Sequence, residues 1–242
     1  MTRMRADLLL VARGLAESRA KARAAIEAGG VRAGGALVAK PSDLLAEDVE
    51  IAFAPPHPWV SRGGVKLAHA LDAFAVDPSG RVCLDVGAST GGFTQVLLAR
   101  GAARVHAVDV GAGQLHASLQ QDARVVNLEQ TDARALTRDH IGEAPSLIVC
   151  DVSFIGAAKA LAPALALAAE RADLVALIKP QFEAGPNAGK AGVLEEQVAR
   201  AAAAAAIESL NGLAGFTLVT SVDSPIRGGD GNLEMLAHFA RA

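Results

Sequence analysis

Strand-like and helix-like patterns of hydrophobic residues alternate along the chain from about residue 62 onward. Short apolar runs bounded by polar residues indicate buried strands, and they occur at 81–86, 104–110, 124–128, 146–152, 173–179, 215–222 and 232–240. Helix-like stretches separate most of them, at 92–100, 114–121, 156–171 and 194–211. Strands that alternate with helices are typical of a parallel sheet covered by helices on both faces. We therefore predict an α/β domain over residues 61–242, with a seven-stranded, mostly parallel sheet.

A proline-rich segment, FAPPHPWV at 53–60, precedes this alternation. Such a composition is typical of a stiff inter-domain linker, so we predict that residues 1–52 form a separate small module. Residues 1–40 hold eight Lys/Arg and three Asp/Glu, a local charge of +5 on a chain whose net charge is −3. Concentrated positive charge is expected of a face that binds phosphate groups, although a solvated helical face explains the charge equally well.

Length and composition narrow the class of protein. The 242 residues, 51% of them hydrophobic, suffice for one large domain or for an ordinary domain with a small one. The apolar runs are all shorter than the about 18 residues of a membrane span, and LLLVA at 8–12 is too short for a secretory signal. Cys83 and Cys150 lie in apolar runs, which favours buried thiols in a cytoplasmic protein. Because metal-ligand spacing is also lacking, we predict no metal and no membrane association.

A glycine-rich turn, DVGASTGGFT at 85–94, follows the first strand of the predicted sheet and opens a helix. Glycines there let a ligand approach the backbone and the helix N-terminus. The spacing differs from G-x-G-x-x-G, which argues against a nicotinamide-binding domain. Asp109 ends the second strand, where an acid typically binds a ribose diol, and Asp132 follows the third strand.

This order of glycines and acids is similar to the S-adenosylmethionine site of class I (Rossmann-like) methyltransferases. An ordinary tight turn beside solvent-exposed acids is the alternative interpretation. The resemblance implies cofactor contacts from Asp85, Gly87, Ser89, Gly91, Gly92, Phe93, Asp109, Gln114, Asp132 and Asp151.

An apolar run, Leu174 to Ile178, ends directly in Lys179. Lysine is rarely buried without a partner, and Asp151 ends the neighbouring predicted strand, so the two side chains should meet at the carboxyl edge of the sheet. Lys66 lies on a short predicted helix before the sheet, and Glu234 lies at the start of the last strand. The order Lys–Asp–Lys–Glu is similar to the tetrad of FtsJ-type RNA ribose 2′-O-methyltransferases.

The chemistry of ribose methylation suits these residue types. A ribose 2′-hydroxyl is a poor nucleophile at neutral pH and needs a base, or a cation that stabilises the developing alkoxide. A partly desolvated lysine can serve, and Lys179 is the candidate. Asp151 and Glu234 would hold the two ammonium groups and the hydroxyl in line, while Lys66 would add positive charge. A structural ion pair at a strand end is the alternative role for Lys179.

Base N-methyltransferases are a close alternative. They carry an (N/D)-P-P-(F/Y) motif after the fourth strand, and the corresponding residues here are Asp151-Val-Ser-Phe154. Both prolines of that motif are missing from this sequence. Phe154 would either stack on a base or pack in the core.

Residues 5–51 resemble the S4 RNA-binding domain. The matching residues are Arg5, Asp7, Gly14-Leu15, Ser18-Arg19, Ala22, Ile26, Gly29, Val31, Gly35, Val38 and Lys40-Pro41. The resemblance implies a small α+β module that binds structured RNA mainly through phosphates and shape. The RNA contacts that we predict on this basis, together with one residue just after the linker, are Arg5, Ser18, Arg19, Lys21, Arg23, Lys40 and Arg62.

Longer motifs extend the resemblance to nearly the whole chain. They are WVSRGGVKL (59–67), DVGASTGGFT (85–94), DVGAGQL (109–115) and IKPQFE (178–183). Together with the S4 pattern they are similar to the TlyA family, whose members are also called hemolysin A. The resemblance implies S-adenosylmethionine-dependent 2′-O-methylation of cytidine in ribosomal RNA of one or both ribosomal subunits. Ala112 departs from the tyrosine common in this family, which predicts weaker cofactor binding if that ring packs against the cofactor.

Two other classes of function stay open at this point. A non-catalytic RNA-binding protein that assists ribosome assembly would use the S4 module alone. A membrane-active hemolysin would match the older family name.

Overall fold

The computed structural model describes residues 2–153, 156–184 and 193–242, so Phe154 lies outside the described residues. The chain divides into two compact units, Met1–Pro58 and Trp59–Ala242. Each unit buries its own hydrophobic core, as separately folding domains do. In the described ranges, every helix is too short or too polar to cross a lipid bilayer.

The first unit contains two helices, α1 (Ala6–Ala12) and α2 (Arg19–Glu27). Its short strands are β1 (Arg3–Arg5), β2 (Val31–Ala33), β3 (Ala36–Leu37), β4 (Leu44–Ala46) and β5 (Ile51–Phe53). Strands β1 and β4 form an antiparallel pair, and β3-β2-β5 form a three-stranded antiparallel sheet. The helices bury small and aliphatic side chains, among them Leu10, Ala22 and Ile26, against Val31. The small α+β architecture expected of an S4 module is therefore present.

The predicted linker, 53–60, divides between the two units. Phe53 is the last residue of β5, so this strand crosses the predicted boundary at residue 52. Trp59 and Val60 pack against the core of the second unit, and the Val60 N–H donates to Oε1 of Gln95 at 2.6 Å.

The second unit is built on a seven-stranded sheet with the order β11-β12-β10-β9-β6-β7-β8. Its strands are β6 (Val82–Val86), β7 (Arg104–Val108), β8 (Val125–Leu128), β9 (Leu147–Cys150), β10 (Ala172–Ile178), β11 (Thr217–Asp223) and β12 (Met235–Arg241). All four residues of β9 are buried, and so are six of the seven in β10. Their apolar side chains reach both faces of the sheet, because successive residues of a strand point to opposite sides. The predicted α/β fold class with a mostly parallel sheet is confirmed.

The helices of the second unit cover both faces of this sheet. They are α3 (Gly63–Phe74), α4 (Gly92–Ala99), α5 (Ala117–Gln120), α6 (Arg138–Ile141), α7 (Ala157–Ala166), α8 (Pro180–Glu183) and α9 (Glu196–Leu210). Leucines of α3 and α4 share one core cluster with Cys83, whereas leucines of α7 and α9 share the other with Leu84. Helix α3 is longer than the short helix that the sequence predicts around Lys66. Helix α5 is shorter than predicted.

Strand β12 runs antiparallel to both β10 and β11. The beginning of β12 therefore lies at the same edge of the sheet as the carboxyl ends of the parallel strands. Ile178 pairs with Met235, so Lys179 and Glu234 are the next residues on the two neighbouring strands. This single reversed strand brings a residue that is remote in sequence to the edge where ligands bind in parallel sheets.

Candidate functional site

The glycine-rich turn between β6 and α4 lies close to the end of β9. Gly87 has φ of +87° and Gly91 has φ of +91°, a region that favours glycine. A Cβ on Gly87 would lie 2.8 Å from the carbonyl oxygen of Asp151, and a Cβ on Gly91 would lie 2.2 Å from the Leu119 side chain. Both positions therefore require glycine, for backbone conformation and for space.

Asp85 lies beneath this turn rather than on its surface. Its side chain is fully buried, and Oδ2 accepts a hydrogen bond from the Thr94 hydroxyl at 2.7 Å. Oδ1 has no hydrogen-bond partner among the described residues. Burial raises the pKa of the Asp85 carboxyl to about 7. Within the described part of the chain, Asp85 and Gly91 border neither of the two clefts described next.

The larger cleft, of about 660 Å³, lies at the carboxyl edge of the sheet. Six of the predicted cofactor residues border it: Gly87, Ser89, Asp109, Gln114, Asp132 and Asp151. Asp109 accepts the backbone N–H of Ser89 at 2.8 Å and that of Gly111 at 2.7 Å, so its carboxylate is fixed by the two loops. The Ser89 hydroxyl donates to Oε1 of Gln114 at 3.1 Å.

The carboxylate of Asp132 forms an ion pair with Arg134. The Arg134 guanidinium donates to both oxygens, with Nη2 at 2.6 Å from Oδ2 and Nε at 3.0 Å from Oδ1. This hydrogen bonding lowers the pKa of Asp132 to about 2, so the group is ionised at neutral pH. Arg134 borders the cleft as well. The sequence pattern did not single out Arg134, although its place two residues after a predicted binding acid is a usable signal.

A smaller cleft, of about 210 Å³, adjoins the larger one and shares Gly87, Ser89, Asp151 and Ser153 with it. Gly92, Phe93 and Lys179, all predicted site residues, border it. Five further residues that border this cleft were not predicted from the sequence, namely Ser61, Gly63, Ala88, Thr90 and Ser153. Each lies within three residues of a residue that was singled out, so small and hydroxyl-bearing neighbours of the motif residues were the available signal.

Lys179 is largely buried where β10 ends. Its Nζ lies 2.6 Å from Oδ1 of Asp151 and donates a hydrogen bond to Oγ of Ser153 at 2.8 Å. The contact with Asp151 is an ion pair without hydrogen-bond alignment. The parallel register between β9 and β10, in which Cys150 pairs with Ala176, brings these side chains together.

The other two predicted catalytic residues form a second ion pair. Lys66, on α3, contacts Glu234, just before β12, and both side chains are buried. The β10–β12 register pairs Ile178 with Met235, and its next position sets Glu234 opposite Lys179. The two ion pairs therefore lie at the same edge of the sheet. The structure thus arranges the four residues as Lys66–Glu234 and Lys179–Asp151. Charges that are desolvated in this way are stable only when paired.

In the first unit, the buried carboxylate of Asp7 joins two of the predicted RNA-binding residues. Arg5 donates to Oδ1 and Oδ2 at 3.0 and 3.1 Å, and Arg19 donates to Oδ2 at 3.1 Å. Hydrogen bonds from Arg5 and then Arg19 lower the pKa of Asp7 to about 2. The two guanidinium groups are held side by side with much of their surface exposed.

The remaining predicted RNA contacts are not drawn into this group. The Ser18 hydroxyl caps α2 by accepting the Lys21 N–H at 3.3 Å. Lys21 and Arg23 form pairs along α2 with Glu17 and Glu27. Lys40 and Arg62 are exposed, and Arg62 belongs to the second unit.

The described residues contain no group of three or more His, Cys, Asp or Glu side chains that could hold a metal ion. Cys83 and Cys150 are free and buried, and burial raises the pKa of both thiols to about 12. A protonated thiol of this kind is a poor metal ligand and a poor nucleophile.

Comparison with known proteins matches each unit to a family. The FtsJ-like methyltransferase family model matches residues 59–241, and the S4 domain model matches residues 4–51. The chain is 46% identical over 235 residues to the 16S/23S rRNA (cytidine-2′-O)-methyltransferase TlyA of Mycobacterium tuberculosis, covering 96% of this chain and 88% of the relative. It is 39% identical over 239 residues to Hemolysin A of Brachyspira hyodysenteriae, covering 98% and 99%.

A solved structure supports the same relationship. It is named as a hemolysin candidate from Streptococcus thermophilus, superposes with a TM-score of 0.73 at 37% identity, and covers all of this chain and 90% of its own. The match spans both units, as do the sequence relatives. These findings confirm the resemblance inferred from the motifs: the chain belongs to the TlyA family, which joins an S4 domain to an FtsJ-like methyltransferase domain.

Proposed function

We propose that this protein transfers a methyl group from S-adenosylmethionine to the ribose 2′-hydroxyl of a cytidine in ribosomal RNA. The observation that carries the proposal is the arrangement of Lys66, Asp151, Lys179 and Glu234 as two ion pairs at the carboxyl edge of the sheet. The M. tuberculosis relative bears this activity in its name. We propose residues 1–52 as the RNA-binding part and residues 61–242 as the methyltransferase part of a cytoplasmic enzyme.

The larger cleft fits S-adenosylmethionine. It offers two carboxylates, Asp109 and Asp132, for the hydroxyl and amino groups of the nucleoside. Gly87 also borders this cleft, and a side chain there would collide with the end of β9. Arg134 donates four hydrogen bonds to the Asp132 carboxylate, so Asp132 would bind the nucleoside by exchanging part of these contacts, since a carboxylate has about four acceptor sites.

When bound, S-adenosylmethionine supplies a methyl group on a positively charged sulfur. The protein has to provide a nucleophilic oxygen in line with that methyl group. We assign to Lys179 the removal of the 2′-hydroxyl proton, and to Asp151 the balance of the resulting ammonium charge. Lys66 and Glu234 border neither cleft among the described residues. Lys66 would add a second positive charge at the same edge of the sheet, and Glu234 would fix its position. The 2′-oxygen is left with an electron pair directed at the methyl group.

The first unit would supply RNA affinity. Arg5 and Arg19 present two exposed cations that share the Asp7 carboxylate, and guanidinium groups bind phosphate oxygens in a bidentate manner. Ser18, Lys21, Arg23, Lys40 and Arg62 would add contacts to phosphates. Such contacts position an RNA without reading its sequence, so the identity of the nucleotide depends on RNA shape and on the methyltransferase part.

The test is methyl transfer from radiolabelled S-adenosylmethionine to ribosomal subunits from a host that lacks the activity. We expect label in alkali-resistant dinucleotides, the mark of ribose methylation, and a loss of about 100-fold to 10,000-fold for Lys179→Ala. Arg200→Ala, which removes an exposed cation paired with Glu196 and Asp223, is the control and should keep full activity.

Each alternative predicts a different result. Label in alkali-sensitive nucleotides would mean base methylation and would overturn the ribose assignment. Full activity of Lys179→Ala would overturn the role proposed for Lys179. No transfer by wild type to either subunit and to free ribosomal RNA would overturn the proposed chemistry and favour a binding role. Release of dye from liposomes by the purified protein would favour the hemolysin class.

A further inference from the structure

We propose that Ser153 is a positioning residue that orients the ammonium group of Lys179 for proton transfer. This inference rests on the function proposed above, because it assigns Ser153 a role in that reaction. Unlike the four predicted catalytic residues, Ser153 is uncharged. It stands out only through its contacts, since its side chain borders both clefts at the point where they join.

The contacts of Lys179 are unequal in kind. Asp151 contributes a charge at 2.6 Å without hydrogen-bond alignment, whereas Ser153 accepts an aligned hydrogen bond from Nζ at 2.8 Å. An ion pair constrains the position of the nitrogen but leaves rotation about its bond to Cε nearly free. A directional hydrogen bond fixes that rotation. The serine therefore supplies the orientation that the carboxylate does not.

Orientation matters because an ammonium group has three N–H donors. With one directed at Ser153 and none aligned with Asp151, another is left for the mouth of the smaller cleft, which Lys179 also borders. When Lys179 is neutral, its lone pair takes that position and meets the hydroxyl proton of the substrate. Proton transfer then restores the ammonium without any rearrangement of the first two contacts.

A contact with the cofactor is the competing role for Ser153, since it also borders the larger cleft. The two roles separate in measurement. A serine that acts through Lys179 affects proton transfer and the titration of the lysine. A serine that holds the cofactor affects the Kd for S-adenosylmethionine instead.

The experiment compares Ser153→Ala with wild type in single-turnover methyl transfer and in an NMR titration of protein labelled at the lysine ε-carbon. We expect the single-turnover rate to fall about tenfold to 100-fold, the range for loss of a hydrogen bond to a charged group. The Kd for S-adenosylmethionine, measured by calorimetry, should stay within twofold. The Lys179 titration should move to lower pH, because the lost bond favoured the charged form.

Matched variants make the result decisive. Ser153→Thr retains the hydroxyl and should restore the rate to within about threefold. Ser153→Cys keeps the size but accepts hydrogen bonds weakly, so it should behave like Ser153→Ala and replaces it if the alanine variant does not fold. Ser209→Ala removes a hydroxyl that donates to the Ala206 carbonyl within α9, away from both clefts, and should change nothing.

An unchanged rate together with an unchanged Lys179 titration in Ser153→Ala would overturn the inference. So would a weaker Kd for S-adenosylmethionine with an unchanged single-turnover rate, which would assign Ser153 to the cofactor. Absence of methyl transfer by wild type would defeat the proposed function separately. In that case the Lys179 titration still decides whether Ser153 orients the lysine.

Discussion

The two units of the chain both pair cations with a buried carboxylate, but only the second unit buries the cation as well. In the first unit the carboxylate of Asp7 is fully buried while the side chains of Arg5 and Arg19 stay 42% and 59% exposed. In the second unit the cation is buried too, because the Lys66 side chain is 8% exposed and that of Glu234 only 2%. The cations of these pairs are thus exposed in the first unit and buried in the second.

The difference matches the roles that we propose for these cations. A cation that binds phosphate must reach the surface. A buried carboxylate holds it there in a fixed direction and offsets the repulsion between neighbouring cations. A cation that takes part in proton transfer has to be removed from water, because its charge acts most strongly at a site from which water is excluded. Exposed arginine suits the first task because it stays charged, and buried lysine suits the second because it exchanges its proton more readily.

The first prediction concerns the buried pair of Lys66 and Glu234. Glu234→Gln leaves the Lys66 ammonium buried without a counter-charge, and we expect a loss of about 3–5 kcal/mol in the free energy of unfolding. Urea denaturation measures this loss. The double variant Lys66→Met/Glu234→Gln should recover most of the stability, because a buried pair is often replaceable by apolar groups. It should stay inactive in methyl transfer.

The control for this prediction is a pair at the surface. Asp72→Asn breaks the exposed pair with Arg100 and should cost less than about 1 kcal/mol. Equal losses for Asp72→Asn and Glu234→Gln would contradict the view that the Lys66–Glu234 pair is desolvated.

The second prediction concerns Asp85, a buried acid without a cation. Its pKa is about 7 when folded and about 4 when unfolded, so the folded state binds an extra proton between these values. Stability should therefore fall as the pH rises from about 4 to about 7, by at most about 1.4 kcal/mol per unit, and then level off. Asp85→Asn cannot ionise and should lack this decline. Urea denaturation of both proteins at pH 5, 6, 7 and 8 measures the difference.

Other carboxylates do not obscure this window. Asp7, Asp122 and Asp132 have pKa values near 2, so their stabilising contributions vary with pH only below about 4. A parallel pH dependence of wild type and Asp85→Asn would show that Asp85 is ionised in the folded protein.

The third prediction concerns the cluster of Arg5 and Arg19 around Asp7. Asp7→Asn makes the protein more positive, and charge alone would predict tighter RNA binding. We expect the opposite, a loss of about tenfold in affinity, because two arginine side chains lose the group that orders them. Fluorescence anisotropy with a ribosomal RNA fragment at several salt concentrations measures both affinity and its salt dependence.

Two variants serve as controls for Asp7→Asn. Asp48→Asn makes the same charge change at an exposed position of the same unit and should leave affinity unchanged or slightly higher. Arg3→Ala should weaken binding less than Arg5→Ala, since Arg5 contacts Asp7 whereas Arg3 makes no contact with Asp7 in the described structure. Tighter binding by Asp7→Asn would mean that the arginines need no ordering.

The sequence predicted the seven strands and the main helices of the second unit well, because the periodicity of apolar residues reflects burial directly. It also predicted ten residues for the cofactor site, of which two, Asp85 and Gly91, border neither cleft among the described residues. A motif indicates which residues belong to a turn, but not which atoms face outward. The roles of the predicted site residues stay predictions until the experiments above are done.

By itself, the sequence determined the fold class, the S4-like module and the glycine turn, since local patterns of hydrophobicity and glycine specify local structure. Only the tertiary structure decided which charges meet. The reversed direction of β12 places Glu234 beside the end of β10, and α3 presents Lys66 to it across 168 residues of chain. Ser153 reaches Lys179, and Asp7 joins Arg5 with Arg19, for the same reason. Electrostatic pairing depends on distance in space, which strand order and register fix only when the whole chain has folded.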